Sequence, residues 1–371
     1  MTSYHRSYGR AFLIIGRSAG DWARAARAAA RSLVVRYLLL ALAGVFTLGA
    51  CGLVLAATPA SPGSEEMIVF DVRPGDGAAA VASRLEAQGL VRDALSFRVL
   101  SGLLGYDRGL KTGRYELGPG QSTWAILRKI GRGQVITFSL TVPEGYTIAQ
   151  MAALLEEKGL ATAEEFRKAV ERVAADGGFP FLPAERRPFI ETYEGLLFPD
   201  TYFFEDGVPP EAIVRRMAGR TVEVLSGDFS ARAQELGLAP FEVLTLASII
   251  EKEAAVAEER DIISSVYHNR LRIGMKLDAC PTVRYVLSKP PNEPLLFTDL
   301  EVVSPYNTYE NAGLPPGPIC APGMASIRAA LYPADTDFLY FVSKNDGTHH
   351  FSRTFEEHVR AVSQYQGGGG L

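Results

Sequence analysis

Between Tyr37 and Ala57 the chain runs for 21 residues without a charged side chain (YLLLALAGVFTLGACGLVLAA). A helix rises about 1.5 Å per residue, so this run covers the roughly 30 Å hydrocarbon core of a bilayer. The residues before it carry seven arginines, Arg6, Arg10, Arg17, Arg24, Arg27, Arg31 and Arg36, against one acid, Asp21. Positive flanks stay on the cytoplasmic side, so residues 1–36 are expected inside, a transmembrane helix over 37–57, and the remainder outside. Two alternatives use the same residues. A cleaved leader would exploit the small Ala56 and Ala57. Lipid attachment would fall on Cys51, in Leu48-Gly49-Ala50-Cys51, but six apolar residues follow it where a mature lipoprotein turns polar. The length of the run favours a retained anchor.

Outside that segment the composition is that of globular protein. The 371 residues are 47% hydrophobic and 22% charged, enough for two or three domains. A net charge of −4 gives no basic footprint for nucleic acid. Three cysteines without a CxxC pair, and five histidines of which only His349 and His350 adjoin, offer no metal-site spacing. No metal and no cofactor is expected.

Residues 58–66 (TPASPGSEE) read as a linker. A small α/β unit is expected over 67–145. It has a strand at 68–72, a helix carrying Ala80, Val81 and Leu85 and closing at Gly89, and a second helix with Phe97, Val99, Leu100 and Leu103. A strand at 113–117, a helix over 124–130 and a strand over 135–142 complete it. This β-α-α-β-like order resembles a LysM-type glycan-binding module; a plain packing unit has the same pattern. Residues 146–238 form a helix-rich connecting region. Within it, Glu194-Gly195-Leu196-Leu197-Phe198-Pro199-Asp200-Thr201-Tyr202 sets aromatics and a proline beside two carboxylates, as in a sugar-facing loop or a tight turn with core aromatics.

Residues 239–365 read as α+β. A helix starts at Ala239-Pro240, where proline suits the first turn, and runs through Ala257. A second helix covers 264–273, residues 327–331 are helical, and strand 338–342 turns through Lys344-Asn345-Asp346-Gly347 into His349-His350-Phe351-Ser352. Residues 366–371 form a glycine tail. The whole is an α+β chain: an N-terminal transmembrane helix, a LysM-like module, a helical connecting region and an α+β domain expected to hold the chemistry.

The chemistry centres on residues 244–254 (LTLASIIEKEA). At about 100° per residue Glu253 lies over Leu246, Ile249 and Ile250, whereas Glu251 points roughly 200° away, toward Ala247 and Ser248. Two acids so placed cannot share a site. An acid on an apolar face is costly as an anion, and its raised pKa suits a general acid at neutral pH, the proton donor that glycoside cleavage needs. A surface glutamate, or one paired with Arg260 or Arg270, is the competing reading.

From about Met67 to Gln364 the chain resembles the endolytic murein transglycosylases, the MltG or YceG-like family. The resemblance rests on 194–202 (EGLLFPDTY), 246–254 (LASIIEKEA), 259–261 (ERD), 266–277 (VYHNRLRIGMKL), 281–283 (PTV), 306–309 (YNTY), 313–319 (GLPPGPI) and 322–323 (PG), in that order. It implies a LysM-like module and a YceG-like catalytic domain, with the second acid of the E-K-E run, Glu253, as catalytic residue. The implied reaction cleaves the MurNAc–GlcNAc bond of peptidoglycan without water and leaves 1,6-anhydroMurNAc ends. Tyr306, Asn307 and Thr308 are then expected to line the cleft and hold sugar hydroxyls, with Glu194, Asp200 and Tyr202 as further substrate-binding candidates. Implied partners are glycan strands, the inner membrane through one helix, and peptidoglycan synthases whose nascent strands are terminated. The implied location is the inner membrane, with the catalytic part periplasmic. A water-using muramidase, with Asp278, Asp200 or Glu194 as second carboxylate, and a non-enzymatic wall-binding scaffold are the rivals.

One departure stands out. Where many relatives have an aspartate before Pro-Thr-Val, this chain has Cys280, and Cys320 follows the proline-rich loop. In an oxidising compartment a Cys280–Cys320 disulfide clamping two cleft loops is expected. By the chain-entropy account it would contribute about 3–4 kcal/mol.

Overall fold

In a computed structural model of the chain, residues 24, 31, 33–49, 52, 54, 58–106, 109–184, 193–290 and 292–367 are described. The apolar run contributes helix α1, Leu33–Gly49. Among the described residues no single helix is long and apolar enough to cross a membrane. Much of 50–57, Cys51 included, lies outside the described residues, as do Asp21 and four of the seven leader arginines. The chain divides into two compact units at Ile136 and Thr137.

In the first unit, β1 (Ile68–Val72) alternates as a half-buried strand should, with Phe70 and Val72 inward and Val69 and Asp71 outward. Helices α2 (Ala78–Ala87) and α3 (Ala94–Leu103) follow, then β2 (Gly113–Leu117) and α4 (Thr123–Gly131). The strands pair antiparallel with Phe70 opposite Tyr115, so the expected β-α-α-β order forms. Side-chain caps start two helices: Asp93 accepts from the Ser96 N–H and Ser122 from the Ala125 N–H. Val81, Leu85, Phe97, Ile126 and Ile130 close a core over the two strands.

The strand expected at 135–142 belongs elsewhere. It forms as β3 (Thr137–Thr141) and pairs antiparallel with β4 (Thr201–Glu205), placing Phe138 opposite Phe204 and Leu140 opposite Tyr202. The apolar residues of β3 match those of β4, so the first unit closes at Ile136 rather than 145.

The second unit is mostly helical. Helices α5 (Ile148–Glu157) and α6 (Ala163–Ala175) each begin with a reciprocal capping box, Thr147 with Gln150 and Thr162 with Glu165. Helices α7 (Pro210–Val224) and α8 (Asp228–Glu235) lead to α9 (Pro240–Glu253). Then follow α10 (Arg260–Arg272), α11 (Cys280–Leu287), α12 (Met324–Leu331), the hairpin β5 (Tyr340–Ser343) and β6 (His349–Ser352), and α13 (Phe355–Tyr365).

α9 is the axis of this unit. Phe241 and every residue from Val243 to Ile250 are buried, and α8, α10, α11 and α12 pack around it. Each fully buried Leu or Ile contributes about 1.5–3 kcal/mol, so the helix is held by packing rather than by propensity. It ends at Glu253, short of the expected Ala257, because Ala254 turns to an extended conformation (ψ 106°) and a 3-10 turn at Ala257–Glu259 feeds α10. Two helices lie where no helix was expected: α11, which Pro281 starts, and α13, which Thr354 and Glu357 cap.

Candidate active site

Ending α9 at Glu253 places that carboxyl on the last helical turn, where the buried axis reaches a cleft of about 990 Å³. α10 brings Tyr267 to it, and the phenol donates to Glu253 Oε1 at 3.0 Å. Tyr267 is fully buried and meets the ring of Phe341 edge-on, with centroids 5.9 Å apart. Burial pushes the Glu253 carboxyl up to about 7, against the Tyr267 hydrogen bond and the electrostatic influence of His349 and Arg284. The negative end of its own helix also disfavours the anion. The group is therefore part acid, part carboxylate near neutral pH, the balance that a group alternating between proton donor and acceptor requires.

Glu251 goes elsewhere, as the helix geometry predicts: its Oε2 accepts the N–H of Gly323, the residue capping α12. The separation by apolar face holds only in part. α9 is buried on every side up to Ile250, so Ala247 and Ser248, beside Glu251, are as hidden as Leu246 and Ile249. What distinguishes the two acids is the cleft opening at the last turn.

Glu194 also lines the cleft. It is 5% exposed, and its Oε2 accepts the N–H of Ile148 at 2.8 Å in the first turn of α5. Burial pushes it up to about 8, over the opposing Ile148 hydrogen bond and Lys252 charge. Gly195 beside it has φ +73°, and a Cβ there would stand 2.5 Å from Pro318 Cβ. Gly195→Ala is accordingly expected to destabilise by about 2–4 kcal/mol in urea unfolding, from left-handed strain plus overpacking. A loss below about 0.5 kcal/mol would show that the loop relaxes freely.

Tyr306 is the other expected residue at the cleft; it is 9% exposed and its ring lies 5.1 Å from that of Tyr285. The structure places the remaining expected residues in other contacts. Asn307 is fully buried and braces its own loop, with Nδ2 donating to the carbonyls of Leu300 and Val302 and Oδ1 accepting from Tyr309. Thr308 Oγ1 accepts the Ala279 N–H and meets Thr282 Oγ1 at 3.0 Å, tying that loop to the start of α11. Neither lines the cleft. Asp200 pairs with Arg220 Nε at 3.1 Å, and Tyr202 donates its hydroxyl to the Phe198 carbonyl at 2.7 Å. Both serve the β3–β4 corner and neither lines the cleft. Asp278 is bound to Arg270 at 2.8 Å, which also removes Arg270 as a partner for Glu253.

The expected disulfide is absent: Cys280 and Cys320 are free thiols. Cys280 lines the cleft with Sγ 3.1 Å from Tyr309 Oη, whereas Cys320 is buried and its thiol reaches the Ser248 carbonyl at 3.4 Å. Each sulfur has its own partner, Tyr309 for Cys280 and Ser248 for Cys320. Maleimide labelling of the native, unreduced protein should modify Cys280 within hours and reach Cys320 only after unfolding. Labelling absent at both even after unfolding, and restored by reductant, would reinstate the disulfide.

Residues that the sequence left unremarked also surround Glu253. Tyr267 lies 14 positions further on, inside a stretch used only as a family mark. Arg284 comes from α11, and Tyr309 from the loop after Thr308. His349 comes from β6, its Nδ1 held 2.7 Å from Glu259. That contact gives the Glu-Arg-Asp stretch a structural role. Among the described residues no cluster fit to hold a metal is present.

A long buried helix that ends in one acid at a sugar-sized cleft, backed by a small β-hairpin, defines an α+β protein of one class: the chain belongs to the YceG-like family, matched over residues 70–364. Its relatives carry a more particular name. An endolytic murein transglycosylase of Bacillus subtilis (strain 168) is 33% identical over 323 residues, covering 83% of this chain and 87% of that protein. One of the same name from Streptococcus pneumoniae serotype 2 (strain D39) is 29% identical over 331 residues, covering 83% of this chain and 60% of its own length. The crystal structure of a YceG-like protein from Listeria monocytogenes superposes with a TM-score of 0.56 at 34% identity, covering 80% of this chain and 99% of that one.

Proposed function

We propose that this chain is an endolytic lytic transglycosylase that cuts the MurNAc–GlcNAc bond of peptidoglycan glycan strands and leaves 1,6-anhydroMurNAc ends. The carrying observation is one carboxyl, Glu253, at the cleft with its pKa raised to about 7. Glu253 gives its proton to the glycosidic oxygen as the C1–O bond breaks. It then takes the proton of the muramic C6 hydroxyl as that oxygen bonds to C1. The carboxyl ends as it began, and no water is consumed.

A water-using muramidase needs a second carboxylate to activate water or trap the sugar. Asp278 and Asp200 are engaged with arginines. Glu194 is at the cleft, but burial holds it largely neutral up to about pH 8, which makes it a poor base. Tyr306 and Glu194 are the substrate-binding residues in this reading, and the aromatic pair Tyr285–Tyr306 offers a face for a sugar ring.

In the same reading residues 37–57 anchor the protein in the inner membrane, with residues 1–36 cytoplasmic and the catalytic part periplasmic. The unit carrying β1 and β2 acts as a LysM-like hold on the glycan, and the enzyme terminates strands emerging from peptidoglycan synthases. The deciding experiment incubates the full chain in detergent with uncrosslinked glycan and identifies the product ends by mass spectrometry. Anhydro ends support the proposal; reducing ends, or intact strands, overturn it.

A further inference from the structure

We propose that Tyr267 is a positioning residue for this reaction: its hydroxyl pins Oε1 of Glu253, leaving Oε2 as the one oxygen that gives and retakes the proton. The inference rests on the transglycosylase reading above and goes beyond it by assigning the two carboxyl oxygens different work.

A phenol bound at 3.0 Å as donor makes Oε1 an acceptor, so the acidic proton of neutral Glu253 resides on Oε2. Tyr267 cannot exchange that role with solvent. It is fully buried, its ring is held by α10 and by the edge of Phe341, and burial together with Glu253 keeps the phenol protonated. Among the described residues this is the one hydrogen bond to the Glu253 carboxyl.

The other titratable groups nearby are engaged elsewhere. His349 on β6 is held by Glu259. On α11, Arg284 donates to the carbonyls of Pro290 and Glu293, and Cys280 meets Tyr309. They act on Glu253 through charge or bulk, whereas Tyr267 acts on a single oxygen.

The chemistry asks for such a distinction. In a β-linked MurNAc the leaving oxygen departs from one face of C1, and the 1,6-anhydro bridge forms on that same face. The C1–O bond to the leaving sugar breaks while its oxygen takes the Oε2 proton. The bond from O6 to C1 forms while the O6 proton returns to Oε2. Donor and acceptor positions coincide, so one oxygen serves both steps and the other is free to be held.

The test compares wild type, Tyr267→Phe and a trifluorotyrosine at position 267 in the full chain, reading anhydro ends across pH 5–9. Activity requires protonated Glu253, so kcat/KM falls as pH rises past its pKa. A donor to Oε1 stabilises the ionised form. Tyr267→Phe is therefore expected to move the alkaline limb up by about one pH unit and to lower kcat about tenfold or more. The more acidic fluorinated phenol, a stronger donor, should move the limb down. Phe166→Leu on α6, outside the cleft, loosens the core and keeps the hydroxyl, so it should lower stability without moving the limb. If the limb stays within 0.2 units (about the error of such a profile) in both Tyr267 variants, the inference fails, and the fluorinated variant decides should the phenylalanine one not fold. A wild type that yields no anhydro ends fails the transglycosylase reading instead, so the two failures are separable.

Discussion

Replacing Glu253 by glutamine is expected to lower the rate of anhydro-end formation by at least about 10³-fold, because one group supplies both the acid and the base. The substitution keeps shape and keeps an acceptor for the Tyr267 hydroxyl, which now donates to the amide oxygen. A second consequence separates lost chemistry from lost fold. The folded protein holds Glu253 at about 7 against an ordinary glutamate value of 4.5, so ionising it costs stability progressively as pH rises through that window. The cost is absent below about 4.5 and complete above about 7. At full ionisation it amounts to at most about 3 kcal/mol, less to the extent that the carboxylate keeps a solvent-facing edge. The glutamine variant should therefore match wild type at pH 4.5 and be more stable at pH 8, while inactive at both. Denaturant unfolding at the two pH values and mass spectrometry of the glycan ends check this. Residual activity within tenfold of wild type would remove Glu253 from the mechanism.

Arg270→Met is expected to give the largest loss of stability, about 3–5 kcal/mol. The Arg270 side chain is 8% exposed. Its Nε donates to the Leu339 carbonyl at 2.6 Å, and Nη1 to the carbonyls of Lys276 and Leu277 at 3.0 Å and to Asp278 at 2.8 Å. One guanidinium thus joins the strand β5 to the turn ahead of α11, where Asp278 sits at φ +48°. Methionine fills much of the volume but leaves those carbonyls without a donor. Arg270→Lys should recover only part of the loss, since a single ammonium cannot reproduce the planar fork. Because the same turn leads to Cys280 and Arg284 at the cleft, activity should fall with stability. A urea-unfolding loss below about 1 kcal/mol would show that water replaces the guanidinium without cost.

Strands β1, β2 and β6, the Pro240 start of α9 and Glu253 beyond its apolar turn were legible in the sequence, though the end of the helix there was not. Each is a local matter: a period of two, a proline at the first turn, or an acid one helical turn beyond buried aliphatics. The α+β class and the family followed from long ordered motifs. Helix α11 was not legible, because a Pro-Thr-Val start looks like loop until Pro281 is seen occupying the first turn. The β3–β4 pairing escaped for a different reason: the partner strand lies some sixty residues away, past two helices.

The site divides along the same line. The choice of Glu253 as the candidate acid and its divergence from Glu251 are properties of a helix, and the sequence alone determined them. Which way Asn307 and Thr308 point, whether Cys280 meets Cys320, whether Asp200 faces sugar or Arg220, and that Tyr267 touches Glu253 were decided only by the tertiary structure. A repeating backbone projects side chains in directions that spacing foretells. A loop does not, so its polar groups turn to whichever buried donor or acceptor the packing of distant elements leaves unsatisfied.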